Sequence, residues 1–294
     1  MYYVVYPVLY LFSLLPFCVL HLISDAIYLV LYYLVGYRKE IVMQNLSVAF
    51  PEKTEQERVR IAKDFYHRFL DNFIETIKLL SISKKQLDKH FQGNYQLLNE
   101  LYAKGYKVQV HLGHLFNWEF ANASYSANVS DPFLVVVYMP IANKALNRVF
   151  MKLRSRFGTR LVAATKFKNE FTPYAREKYA LVLVGDQNPG GPDRAYWTPF
   201  FGRLTPFVKG PEKGARFNNT AVVMGNIVPG KKRGYYTSEL QLLTTEPNSL
   251  PDGEITREMI RFIEHTVKKY PSNYLWSHRR WKWEYDEKYR NQVV

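Results

Sequence analysis

Residues 1–36 are almost wholly apolar: they hold no Lys or Arg, and Asp25 is their only carboxylate. The run up to Leu20 has about the length of a bilayer-spanning helix but is interrupted at Pro7 and Pro16. A second run, residues 26–35, is too short to span by itself, and Arg38 and Lys39 follow at once. Residues 40–80 read as helical with a break at Pro51. Over residues 55–79 Ile61, Phe65, Phe69, Phe73 and Ile77 recur at helical spacing among charged positions, which predicts an amphipathic scaffold helix. The pattern then switches. Val108, Val110 and Leu112 alternate as in a strand, Gly113 supplies a turn, and an aromatic run compatible with a helix follows. Residues 132–138 form a near-continuous apolar strand of the kind buried on both faces. Residues 143–157 read as a helix, and 159–163 and 180–184 as strands separated by a polar, helix-compatible stretch over 166–178. This alternation predicts an α/β fold with a largely parallel central sheet flanked by helices. Residues 185–216, rich in Gly, Pro and aromatics, read as an apolar irregular loop that walls a binding tunnel. Two more strands, 220–228 and 235–243, joined by the basic turn 229–234, and an amphipathic helix over 255–269 complete the pattern.

The N-terminus lacks the positive segment and small-residue cleavage site of a signal peptide. It is read as a retained, hydrophobic, membrane-anchoring helical segment over residues 1–36. The catalytic body over 37–294 is then placed on the cytoplasmic side by the positive-inside tendency. A full span and a half-embedded hairpin both fit the pattern, as does a buried helical pair packed on the domain. Aromatic residues make up 16% of the chain, which suits work at a lipid interface. The formal charge of +14 calls for an anionic partner: nucleic acid, a phosphorylated lipid surface or an acidic carrier. No zinc-finger or RRM-type motif accompanies that charge, so no nucleic-acid partner is expected. The single cysteine, Cys18, excludes an intramolecular disulfide and a cysteine-rich metal site.

The candidate chemistry sits at the junction after residue 112. His114 is a general-base candidate, and Glu119, five positions on, is the nearest acid in sequence. Five residues of regular helix turn by roughly 140°, so the two face one another only if His114 stays in the loop and Glu119 sits in the first turns of the helix. Active sites of parallel sheets gather at the carboxyl ends of strands, which makes Asp186 and Gln187, just after strand 180–184, neighbours of His114. In the basic helix, Arg154 is the leading candidate for a phosphate contact through its planar fork, ahead of Arg148 and Arg156; a solvated basic face is the competing reading. A metal site of His111, His114 and Glu119 is the remaining alternative. It lacks the H-E-x-x-H arrangement, and no metal is expected.

Residues 113–119, Gly-His-Leu-Phe-Asn-Trp-Glu, resemble the H-x4-D/E block of the lysophospholipid acyltransferase superfamily, most of all the branch of lauroyl and myristoyl acyltransferases that complete lipid A. Further blocks follow in order: Leu153 to Thr159, Asp186-Gln187, Phe200-Phe201-Gly202, Thr205-Pro206, Gly210-Pro211, and the terminal run Tyr270 to Tyr285 with its His-Arg-Arg-Trp-Lys. The resemblance implies that His114 is the general base and Glu119 orients it. It places Asn117, Arg154, Asp186, Gln187, Arg279 and Arg280 on the substrate side, with loop capping an equal reading for Asp186. It implies a thioester donor (acyl carrier protein or acyl-CoA) and an anionic lipid acceptor, foremost a lipid A precursor. Branch relatives also acylate lysophospholipids, mannosylated lipids and aminolipids. It further implies no cofactor and a place at the bacterial cytoplasmic (inner) membrane. One departure stands out: many relatives have Tyr-Arg-Pro where this chain has Tyr138-Met139-Pro140. The non-enzymatic alternative is a basic lipid-binding protein.

Overall fold

The computed structural model describes residues 1–129 and 133–294. The chain opens with α1 (Tyr2–Leu14), α2 (Phe17–Leu29, continued by a π turn over Val30–Val35) and α3 (Lys39–Ala49). The long α4 (Glu55–Lys78) starts at a capping box, in which Thr54 Oγ1 accepts from the Glu57 amide and the Glu57 carboxylate accepts from the Thr54 amide. Next come α5 (Lys84–His90), β1 (Phe91–Gly93), α6 (Gln96–Ala103), β2 (Val108–Leu112), α7 (Trp118–Asn128) and β3 (Leu134–Tyr138). They are followed by α8 (Lys144–Arg154), β4 (Arg160–Ala163), α9 (Phe167–Phe171) and β5 (Ala180–Val184). The last third holds β6 (Ala195–Phe200), β7 (Arg203–Val208), α10 (Gly210–Asn218), β8 (Ala221–Gly225), β9 (Val228–Pro229), β10 (Tyr236–Ser238), β11 (Leu240–Thr244) and α11 (Glu254–Lys269).

The central sheet has six strands in the order β11-β8-β2-β5-β3-β4. Every pairing is parallel except that of β11 with β8 at one edge. The fold is therefore the α/β arrangement that the alternating pattern implies. Pro132, the first residue of the strand read over 132–138, lies outside the described residues. Strand register sorts the side chains into two faces: Val110 pairs with Val182 and Leu134 with Ala180, so β2, β5 and β3 turn alternate residues the same way. One face carries α7, with α4 and α8 packed against it; α10 and α11 lie on the other, where Gly214 of α10 approaches Gln109.

Three features differ from the sequence pattern, each for a local reason. The N-terminal helices break at Pro16, and the apolar helix long enough to cross a membrane is Phe17–Val35. Ser24 and Asp25 do not interrupt it because both find partners: Ser24 Oγ donates to Asp71 of α4 at 2.7 Å, and Asp25 takes the Arg233 guanidinium at 2.8 Å. The segment 185–216 is not simply a loop, since β6 and β7 form a hairpin within it. Its two-residue turn places Phe201 and Gly202 at φ +52° and +74°, the left-handed pair that matches strand twist. Pro199 and Pro206 are tolerated because this ribbon has only two strands, both of them edge strands. Finally, the strand read over 235–243 splits at Glu239, β10 joining a small sheet with β1 and β9 while β11 joins the large one.

Candidate active site

β2 and β5 are neighbours with Leu112 opposite Val184. Each strand is followed by a glycine, Gly113 or Gly185, and the next residue is His114 in one case and Asp186 in the other. Carrying the register two residues past the strands brings these side chains together. Asp186 grips His114 twice, its Oδ2 accepting from the His114 amide at 2.9 Å and its Oδ1 facing ring Nδ1 at 2.5 Å. Both glycines pack closely against α11. A Cβ on Gly113 would lie 3.0 Å from Ile263, and one on Gly185 3.1 Å from Met259.

Asp186 is fully buried. Burial by itself would push its carboxyl up, but the charge and hydrogen bonds of His114, aided by the Arg280 charge, outweigh it and hold the group below the usual carboxylate range. A carboxylate on Nδ1 makes that nitrogen the donor and leaves Nε2 bare. Nε2 meets the Gln187 side-chain amide at 3.2 Å. Trp118 stands edge-on to the imidazole, with ring centroids 5.8 Å apart.

The pairing of His114 with Glu119 suggested by spacing and resemblance is absent. Glu119 is buried in the first turn of α7 and faces Arg154 at the end of α8. Arg154 Nε lies 3.0 Å from both carboxylate oxygens and Nη2 lies 2.5 Å from Oε1. The Trp118 indole also donates to Glu119 at 3.3 Å. The reason is rotational: His114 is fixed before the helix by Asp186, while the first turn of α7 aims Glu119 toward α8.

Other residues are redistributed as well. Asn117 caps α7, accepting from the Phe120 amide, and donates to buried Glu75 at 3.1 Å; it is fully buried and does not border the cavity described below. Arg280 is also buried. It donates to Asn188 Oδ1 and to the Pro206 carbonyl and lies 4.1 Å from the Phe207 ring centroid, so it braces the loop behind Asp186 and is not presented to a substrate. Arg279 is exposed, and its carbonyl accepts from Asn188. His278 accepts from the Asn188 amide at 3.2 Å, and burial together with the Arg280 charge brings its pKa down to about 4. His111 belongs to the opposite face of β2 against Gln109, its pKa also brought down to about 4 by burial. His111, His114 and Glu119 thus have three different partners and no common centre. On α8, Arg148 and Lys152 are exposed and each lies 4.1 Å from a ring centroid of α1, Tyr2 for the first and Tyr6 for the second, so they belong to a solvated basic face that also holds α1.

His114, Gln187, Glu119 and Arg154 border a largely apolar cavity of about 1320 Å³. A base held at the carboxyl ends of parallel strands, with its free nitrogen turned toward an apolar space of this size, is equipped to activate a hydroxyl beside a long alkyl chain. Residues 1–283 match the family of bacterial lipid A biosynthesis acyltransferases. The chain belongs to that family. It is an acyltransferase of lipid A biosynthesis. A relative, lipid A biosynthesis acyltransferase 2 of Shigella flexneri, is 22% identical over 236 residues, covering 79% of this chain and 74% of the relative.

Sequence reasoning gave no role to two residues that support this region. Asn45 of α3 donates to the carbonyls of Trp276 and His278 at 2.7 Å and so ties the terminal run to the body. Glu75 of α4 joins His21, Asn117 and Tyr236 in one buried cluster. The contact of Asp186 with His114 had a visible signal in the matching Gly-His and Gly-Asp pairs that follow two apolar strands.

Proposed function

We propose that the protein moves a fatty acyl chain from a thioester donor, acyl carrier protein or acyl-CoA, to a hydroxyl of a lipid A precursor, with His114 as general base and Asp186 orienting it. The supporting observation is the Asp186-held imidazole at the edge of the apolar cavity. The acceptor hydroxyl displaces the Gln187 amide from Nε2 and gives its proton to that nitrogen as its oxygen attacks the thioester carbonyl. The Gln187 amide then donates to the oxyanion of the tetrahedral intermediate. The C–S bond breaks, the new ester is released, and the imidazolium returns the proton to the leaving thiolate. Asp186 stays ionised throughout and stabilises the imidazolium. Glu119 and Arg154 shape the cavity wall, and Arg154 Nη1, which makes no hydrogen bond among the described residues, is free to meet a substrate oxygen.

The segment 1–36 attaches the enzyme to the cytoplasmic face of the inner membrane of a bacterium, with residues 37–294 as the catalytic body. Half-embedding is the better-supported mode. The inner face of α2 is committed to polar contacts, His21 with Glu75 at 2.7 Å and Ser24 with Asp71, while Leu22, Leu29, Val30 and Leu34 are exposed on the outer side. The deciding experiment incubates purified protein and its His114→Ala variant with a defined acyl thioester and a panel of lipid acceptors, read by mass spectrometry. A product with one added acyl ester from the wild type alone supports the assignment; equal product from the variant overturns it.

A further inference from the structure

The cavity is one space with two unlike halves on opposite faces of the sheet. Alternation along β5 sends Val182 and Val184 into the first half and Leu181 and Leu183 into the second. The first half lies between the sheet and α7 and is closed by Leu98, Ala121, Tyr125 and Leu240, all buried. The second lies between α9 and α10 on a floor of Val137, Leu181, Leu183 and Phe171. Its rim is open: Lys168 and Lys213 are exposed, and Phe217 at 90% is the most exposed large apolar side chain among the described residues. His114 and Gln187, which follow the carboxyl ends of β2 and β5, line the same space.

This geometry assigns different ends of a ligand to each half. The closed half is walled by buried side chains and has His114 at the carboxyl end of the sheet, so a chain lying in it with its carbonyl at that end meets the imidazole; that is the requirement of an acyl donor. The open half is not walled in this way. A chain can be laid into it lengthwise from the surface, with its headgroup outside and a hydroxyl presented at the His114 end. The volume of about 1320 Å³ also exceeds the roughly 300–1,000 Å³ of a single small-ligand pocket. We infer that the groove between α9 and α10 binds an acyl chain of the lipid acceptor, on the opposite face of the sheet from the donor chain. The inference rests on the acyltransferase reading above. Lys168 and Lys213 stand where they meet anionic groups of the acceptor outside the groove.

The test reads occupancy apart from turnover. His114→Ala protein is photo-crosslinked to a lipid A precursor carrying a diazirine in an acyl chain, and separately to a diazirine-bearing fatty acyl-CoA. Label from the precursor in peptides covering residues 164–175 and 210–218, with label from the thioester in α7, supports the assignment; precursor label confined to α7 overturns it. In the active enzyme, Phe217→Glu raises the acceptor KM about tenfold, equivalent to ~1.4 kcal/mol, and the donor KM much less. Ala121→Leu moves donor preference to shorter chains and leaves the acceptor KM in place. A rise in donor KM alone for Phe217→Glu, or no change in either constant, overturns the inference. Failure of the acyltransferase reading is separately visible, as labelling of the groove with no thioester turned over by the wild type.

Discussion

Asp186 and Glu119 are both buried carboxylates, Glu119 in the cavity wall and Asp186 behind His114, each 2.5 Å from a nitrogen of its partner, and they differ in what that partner is able to release. Glu119 meets a guanidinium, which keeps its protons under all ordinary conditions. Asp186 meets an imidazole, the side chain suited to exchanging protons near neutrality. The first pairing joins α7 to α8 through several hydrogen bonds and fixes the cavity wall. The second leaves the other ring nitrogen on the cavity side, and the proposed mechanism uses it as the base. Under the proposed mechanism the working carboxylate is the one whose partner is able to lose a proton, and burial beside a cation alone does not distinguish it.

The largest expected effect comes from removing the exchanging partner. His114→Ala lowers kcat for acyl transfer by on the order of 10²–10⁴, the usual contribution of a general base, with an unchanged far-ultraviolet circular dichroism spectrum. A variant with wild-type turnover would break the comparison at its first member. Removing the permanent cation acts on stability. Arg154→Met leaves Glu119 buried and charged, and the expected loss is about 3–5 kcal/mol in urea unfolding. Adding Glu119→Gln to Arg154→Met restores part of it, because the uncompensated charge is gone; a double variant no more stable than the single one would show that the pair is not the unit described.

A smaller effect concerns the histidine behind the pair. His278 has a pKa of about 4, so the unfolded chain, with an ordinary histidine, binds a proton between about pH 6.5 and 4 that the folded chain does not. Stability therefore rises with pH across that window and falls on acidification through it. His278→Gln flattens this slope in urea midpoints measured from pH 7 to 4 and leaves the acid limb of the activity profile where it is. A shifted limb would make His278 part of the base.

The central strands were legible in the sequence because parallel strands buried on both faces read as short apolar runs, as at residues 180–184. The hairpin β6–β7 was not, since Pro199, Gly202 and Pro206 carry the composition of a loop, and only the Phe201-Gly202 turn betrays it. The place of the site after residue 112 was readable from the strand-to-Gly junction. Which acid serves His114 was harder, because proximity in sequence favoured Glu119 while proximity in the sheet depends on β2 and β5 being neighbours, 72 positions apart at His114 and Asp186. The partner of Glu119 is carried by another helix, 35 positions away, and no local pattern links the two.

The most direct test is kcat/KM for Asp186→Asn and Glu119→Gln, measured side by side with a lipid A precursor and an acyl thioester. Replacing the carboxylate that orients the base by an amide lets the imidazole take the wrong tautomer and removes the charge that stabilises the imidazolium. The account predicts a loss of kcat/KM on the order of 10³–10⁴ for Asp186→Asn and a loss of about tenfold or less for Glu119→Gln. A large loss for Glu119→Gln with Asp186→Asn near the wild type would contradict it.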